Sequence, residues 1–181
     1  MVRLTILLVV SILSGCISRP PSLSVQSPQP SSPLLAKHQT YLPVIAWPGT
    51  CYQSPEAAEF ARRLSVDARQ QRATLNCHPA LVKAAQARAE VLAREGNWAH
   101  CDLSGVCANT YARRAACALP RSYGNGNNIE SIGAGASGDY LWLMYRHLVD
   151  LSEKHRRHLM GEIDFFKQQH DSGVSYVADP E

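Results

Sequence analysis

The stretch that decides the fold is PALVKAAQARAEVLAREG, residues 79–96. Its residues recur at steps of three and four along one face, which is the spacing of an amphipathic helix. The residues on that face are Leu81, Ala84, Ala85, Arg88 and Leu92. Pro79 suits the first helical position, and Gly96 suits the C-terminal cap. The pattern predicts a helix over residues 79–95 that buries this face.

Other helical signals lie on both sides of this stretch. Ser54, Pro55 and Glu56 combine a capping hydroxyl, a proline and an early acid, which predicts a helix over residues 55–73. A short helix is expected over residues 108–117. The clearest apolar period, residues 139–159, predicts one continuous helix in which His155 shares the buried stripe of the leucines.

The remaining segments are not helical in pattern. Residues 120–138 are rich in Gly and Asn, which tolerate positive φ, and they predict an irregular loop. Residues 173–177 alternate in polarity and predict a short strand. The sequence therefore predicts a helix-dominated α+β domain with a small sheet.

The N-terminus has the pattern of an exported lipoprotein. Arg3 precedes an apolar run over residues 4–13, which is typical of a signal peptide and too short for a membrane-spanning helix. The run ends in Leu-Ser-Gly-Cys16, which resembles the bacterial lipobox. That resemblance implies cleavage before Cys16, acylation of its thiol and amine, and anchorage to a bacterial membrane. Because Ile17 is not aspartate, the periplasmic side of the outer membrane is expected in a two-membrane bacterium.

These signals divide the chain into three parts. Residues 1–15 are the predicted signal peptide. Residues 16–50 carry the lipidated Cys16 and a Pro/Ser-rich tether, which cannot bury a core. Residues 51–181 are the predicted folded domain. The formal net charge of +3 is too small to indicate a dedicated nucleic-acid binder, so no nucleic-acid partner is expected.

Five cysteines remain after Cys16, and an exported chain with this many is expected to form disulfides. Five can form at most two bridges and leave one thiol. A Cys51–Cys77 bridge is disfavoured, because a straight helix over residues 55–73 would be about 28 Å long. Bridged Cα atoms lie within about 7 Å. Bridges from the loop between Cys101 and Cys117 to another segment are expected instead.

Six short motifs occur in a characteristic order. They are Leu75-Asn76, Pro79-Ala80-Leu81, Trp98-Ala99-His100, Gly126-Asn127-Asn128-Ile129, Ser152-Glu153-Lys154-His155-Arg156 and Gly173-Val174. Together they resemble the CAP superfamily (cysteine-rich secretory, antigen 5 and pathogenesis-related 1 proteins; the SCP-like domain), above all its bacterial extracytoplasmic branch. The resemblance implies an α-β-α sandwich with a small antiparallel sheet. The sheet is expected to be reduced here, because the chain ends soon after the Gly-Val strand.

The family's cleft carries two histidines and two glutamates. His100 and His155 match the histidines, whereas Asn127 and Tyr145 stand where the glutamates are expected. Glu130 could replace the first glutamate if the loop is rearranged. The candidate cleft residues are therefore Asn127, Asn128, Glu130 and Tyr145, beside the two histidines. Some family members bind zinc, but no metal or other cofactor is expected here; any zinc would use His100 and His155.

The resemblance also separates the histidines of the last long helix. His155 is expected to face His100 across the cleft. His158 is expected to be solvated at the end of the helix, beside Arg156 and Arg157, which offset the carbonyl dipole there.

Three functions follow from these observations. The first is non-catalytic binding of a wall component, a lipid or an envelope protein, which the missing acids favour. The second is hydrolysis of an envelope polymer with His100 and His155 as general acid and base. The third is a structural or assembly role in which the tether and a helical face matter and the cleft does not.

Overall fold

The structure, a computed structural model, describes residues 5–13, 51–136 and 140–178, and it describes the backbone alone at residues 5–13, 135–136, 140 and 178. The helices are α1 (Pro55–Val66), α2 (Pro79–Glu95), α3 (Ala108–Arg114), α4 (Tyr140–Tyr145), α5 (Glu153–Leu159) and α6 (Asp164–Lys167). The strands are β1 (Thr5–Leu13), β2 (Asn76–Cys77), β3 (Glu130–Ala136) and β4 (Asp171–Ala178). The chain is helix-rich and α+β, as the sequence predicts.

The four strands form one sheet in the order β2-β4-β1-β3. β1 runs antiparallel to both of its neighbours, β3 and β4. β2 runs parallel to β4, so the sheet is mixed and not antiparallel throughout as expected. β4 includes the predicted strand at residues 173–177.

Helices cover both faces of the sheet. Ile132 of β3 and Val177 of β4 pack against the buried alanines and Leu92 of α2. Val174 faces the other way, into a core built by α1, α4 and α5. Successive side chains of a strand point to opposite faces, so the apolar residues of one strand can serve both layers.

Two glycines allow the helices to approach the sheet closely. A Cβ at Gly133 would lie 2.0 Å from Sδ of Met144 in α4. A Cβ at Gly173 would lie 2.2 Å from the backbone carbonyl carbon of Leu81 in α2. β3 lies inside the segment that was predicted as an irregular loop. The prediction was wrong for residues 130–136, because the small residues there serve close packing and not a turn, whereas residues 120–129 form no strand or α-helix.

α2 begins and ends where the sequence predicts. Nδ1 of His78 accepts a hydrogen bond from the amide of Ala80 at 3.2 Å, and Gly96 closes the helix with a φ of 58°. α1 also begins as predicted, because Oγ of Ser54 accepts from the amide of Ala57 at 3.1 Å. It ends at Val66, however, well before residue 73.

The early end of α1 corrects the disulfide prediction. Asp67 stops the helix, since its side chain accepts from the backbone amide of Arg69 at 2.9 Å. The irregular chain that follows can turn back, and a Cys51–Cys77 bridge forms with a Cα–Cα distance of 6.0 Å. The argument against this bridge failed because it assumed a longer helix.

A second bridge joins Cys101 to Cys107 inside one loop, and does not tie that loop to another segment as expected. Within the described part of the chain no cysteine is free, so the leftover thiol is not found there.

The predicted helix over residues 139–159 is broken into three pieces. α4 passes into a π-helical turn at Arg146–Asp150, and α5 starts after residues 151–152. The amide of Leu151 donates to the carbonyl of Arg146, five residues back, and Leu151 is 67% exposed. The wider turn and the break shift the helical phase. Leu151 and His155 therefore do not share a buried stripe.

β1 is formed by the apolar run that the sequence predicts as a signal peptide. The cleavage of this run from the mature chain stays a prediction. Cys16 and the tether lie outside the described residues. None of the helices that the structure describes has the length and hydropathy of a membrane span.

Candidate functional site

A cavity of about 680 Å³ opens between the start of β3, the N-terminal part of α5 and the segment that carries His100. Its polar lining includes His100, Asn127, Glu130, Ser131, His155 and His158. Ile129, Ile163 and Phe166 add apolar surface. Lys154 and Arg157 add positive charge, and Glu153 adds negative charge. The volume lies within the range of small-molecule sites in proteins. The expected pairing of His100 and His155 in one cleft is found.

Glu130 holds His100 at the wall of this cavity. Its Oε2 lies 3.1 Å from Nδ1 of His100, and its Oε1 accepts from Nε of Arg88 at 3.1 Å. The side chains of Glu130 and Arg88 are 0% and 1% exposed, while that of His100 is 33% exposed. Glu130 therefore supplies the carboxylate that Asn127 lacks, and the loop does present it to a histidine.

Arg88 reaches this site from the middle of α2. Its guanidinium also donates to the carbonyl oxygen of Ala99, next to His100. Its Nη1 has no hydrogen-bond partner among the described residues. Arg88 thus links the helix, the strand residue Glu130 and the loop before His100. A charged residue on an apolar helix face requires a buried counter-charge, and this signal was present in the sequence.

Asn127 and Asn128 build the loop that leads into β3. Oδ1 of Asn127 accepts from the amides of Ile129 and Glu130 at 3.1 and 2.9 Å. Asn128 exchanges two hydrogen bonds with the side chain of Asn109, at 2.9 and 3.2 Å. Both residues line the cavity, and their bonds fix the position of Glu130.

His155 lies across the cavity on α5 and is half-buried. Its Nδ1 lies 2.9 Å from Oγ of Ser152, the residue before the helix. Burial lowers the pKa of His155, and the nearby charges of His100, His147 and Lys154 lower it further. The imidazole is therefore neutral at neutral pH and can both donate and accept a hydrogen bond.

His158 corrects an expectation, because it is buried and not solvated. Its Nδ1 lies 2.7 Å from Oγ of Ser131, and its ring packs against Phe166 with centroids 4.8 Å apart. Burial lowers its pKa to about 3, with a smaller contribution from Arg72. The break before α5 turns this residue inward, and periodicity counted across the break could not show that.

Tyr145 is not among the residues that line the cavity. Its hydroxyl donates to Oδ2 of Asp67 at 2.6 Å, and its ring meets Phe60 edge-on. Burial raises the pKa of Tyr145, and the bond to Asp67 raises it further. Tyr145 is therefore a packing residue that joins α4 to the end of α1, and its assignment to the cleft was wrong.

The described residues do not fit a resident metal ion. Both carboxylate oxygens of Glu130 are already engaged, and one of them takes Nδ1 of His100. Across residues 51–136 and 140–178, no three His, Cys, Asp or Glu side chains are grouped as metal ligands would be.

Ser131 and Arg88 are among the residues of the site that the sequence does not predict. Ser131 follows Glu130 in β3, so it points to the opposite side of the strand and bonds His158. No sequence signal marks it, because a serine in a Gly-rich stretch favours a turn.

No family model, no curated protein and no solved structure matches this chain. The resemblance to the CAP superfamily therefore stays a prediction.

Proposed function

We propose that this protein is a CAP-type envelope lipoprotein whose cleft binds a polar ligand without catalysis. One observation carries the proposal: His100 and His155 line a single cavity of about 680 Å³. The break between α4 and α5 and the Asn127 loop bring these two residues together from distant parts of the chain.

The chemistry of the lining supports a ligand with hydroxyl, amide and acidic groups. The neutral imidazole of His155 can donate and accept hydrogen bonds, and Lys154 at the cavity attracts acidic groups. Arg157 also lines the cavity, 3.8 Å from the carboxylate of Glu153. Sugar–peptide wall polymers carry all three groups. We therefore infer that the ligand is a wall polymer.

The position of Glu130 gives its carboxylate an orienting role and excludes it as a free base. Its carboxylate is fully buried, and both of its oxygens are engaged by Arg88 and His100. A carboxylate held in this way orients His100, but it cannot take a proton from water in the cavity. The ligand is therefore bound by the imidazole of His100, which Glu130 orients, and not by a free carboxylate.

Co-sedimentation with isolated peptidoglycan sacculi tests the proposal. The His100→Ala/His155→Ala variant is expected to bind at least tenfold more weakly than the unaltered chain. The matched control is His147→Ala/His170→Ala, which removes two exposed histidines outside the cavity and should bind normally. Equal sedimentation of all three proteins, or no binding by the unaltered chain, would overturn it.

The bond between His100 and Glu130 favours one alternative function. A histidine oriented by a carboxylate can act as a general acid or base, so His100 and His155 could hydrolyse an envelope polymer. Release of soluble fragments from sacculi, lost in His100→Ala, would establish this activity. Sacculi that stay intact with the unaltered chain would exclude it.

A further inference from the structure

β1 occupies the centre of the sheet and separates β3 from β4. Seven of its residues pair with β3 and eight pair with β4, both antiparallel. Val9, for example, lies between Ile132 on one side and Ser175 on the other. The sheet depends on this segment, since β3 joins β4 and β2 only through it.

The same residues have the pattern of a signal peptide. Thr5–Leu13 falls within residues 1–15, which the lipobox resemblance assigns to the removed leader. One segment cannot be removed on export and also complete the sheet of the mature chain. Removal of the leader would therefore leave a strand missing between β3 and β4.

We propose that, after processing, this gap is a docking site for an extended apolar strand of another polypeptide, which pairs antiparallel with β3 and β4. The proposal rests on the export and processing included in the proposed function. It also explains how the protein could have an assembly role, because the partner's strand would complete the sheet of this protein.

The backbone supports a strand as the occupant. Neighbouring strands lie about 4.8 Å apart, so removing one leaves a gap of roughly 9.6 Å that fits a single strand. Both walls of the gap then carry unpaired amide and carbonyl groups. Such groups are costly when buried, and an added strand satisfies two rows of them together.

The surroundings support an apolar occupant. α2 covers one face of the sheet at Ile132 and Val177, and the α1–α4–α5 core covers the other at Val174. A strand buried on both faces is expected to be apolar throughout, without alternation. The present occupant, TILLVVSIL, has no charged residue and fits this description.

The test begins with the full chain and a specific protease site inserted into the tether, between Ser24 and Val25. After folding and cleavage, the N-terminal fragment is expected to stay bound through gel filtration. A fluorescent peptide with the sequence of residues 5–13, made soluble by a lysine tail, should replace it at a ratio of one to one under mild urea. A chain that releases the fragment, keeps its unfolding midpoint and takes up no peptide would overturn the proposal.

The matched control is the same peptide with Val9→Pro. Proline removes one ladder hydrogen bond and disfavours a central strand, so binding should weaken at least tenfold. Equal binding of both peptides would show apolar adsorption and would overturn the proposal. If the domain unfolds when the fragment leaves, peptide added during refolding should restore its circular dichroism. Failure of that rescue would also count against the proposal.

A separate measurement distinguishes this proposal from the cleft function. The mass of the protein extracted from the producing cell's envelope should correspond to an acylated chain that begins at Cys16. A chain that still begins at Met1 would keep its own strand in the gap, and the docking site would not exist. Binding to sacculi through His100 and His155 is measured independently and would stand.

Discussion

Oε2 of Glu130 and Nδ1 of His100 lie 3.1 Å apart, and Glu130 is fully buried while His100 reaches the cavity. The carboxylate is held from behind by Arg88. The position of His100 at the cavity is thus fixed by a buried charge pair. Such a pair contributes little net stability against its desolvation cost, but breaking it leaves an unpaired buried charge.

We expect Glu130→Gln to destabilise the domain by about 3 kcal/mol, because the guanidinium of Arg88 keeps its charge in a buried place. Urea denaturation followed by circular dichroism measures this change. The control is Glu59→Gln, which removes a partly exposed partner of Arg62 and Arg63 and should cost less than about 1 kcal/mol. Equal losses of stability in both variants would mean that the loss in Glu130→Gln does not come from the unpaired charge of Arg88.

Acidification is expected to destabilise the protein through His158. Its pKa is lowered to about 3 by burial, whereas an unfolded histidine titrates near 6.5. Between these values the unfolded chain binds a proton that the folded chain does not. The stability is therefore complete above pH 6.5 and falls as the pH falls, by about 2 kcal/mol at a pH near 5.

Urea titrations above pH 6.5 and near pH 5 measure this loss of stability. The His158→Gln variant should lose less stability between the two. The pKa of His155 is also lowered, so the stability of His158→Gln should still depend on pH, but less strongly. In the unaltered protein, the NMR signals of the His158 ring should not titrate down to about pH 5. A midpoint near that of a free histidine would refute the burial argument.

The features that the sequence predicts correctly depend on local contacts. Ser54, Pro79 and Gly96 mark helix ends through bonds to residues a few positions away, and the structure has those ends. The errors arise where contacts between distant parts of the chain determine the conformation or burial of a residue. Ser131 sets the environment of His158, and that pairing leaves no trace in the spacing of residues 151–161.

The site was predicted in part for the same reason. The motif order predicts His100, His155 and Glu130 as cleft residues, and all three line the cavity. Arg88 carried the missing signal, since its position on the buried face of α2 required a carboxylate. The assignment of Tyr145 to the cleft depends on one continuous helix over residues 139–159, and that helix is interrupted.

The two disulfides are expected to differ in their contribution to stability. Cys51–Cys77 spans 26 residues and Cys101–Cys107 spans 6. Chain entropy alone predicts losses of roughly 3.5 and 2 kcal/mol when each pair is replaced by serine. Thermal unfolding of the two double serine variants, without reductant, shows which disulfide contributes more to stability. A larger loss from the shorter loop would show that native contacts, and not loop closure, decide it.

Gly173→Ala tests the packing of α2 on the sheet. The added Cβ would lie 2.2 Å from the carbonyl carbon of Leu81 and 2.4 Å from the amide nitrogen of Val82. Both are backbone atoms at the start of α2, so they cannot move aside as a side chain could. We expect a loss of about 3 kcal/mol in unfolding free energy by urea titration.

Gly126→Ala is the matched control, since its Cβ would meet no atom within 4 Å. It should change the stability by less than about 0.5 kcal/mol. Gly133→Ala should lie between the two, because the nearest atom is the flexible sulfur of Met144. If Gly173→Ala were as mild as Gly126→Ala, α2 could not lie as close to β4 as the structure has it.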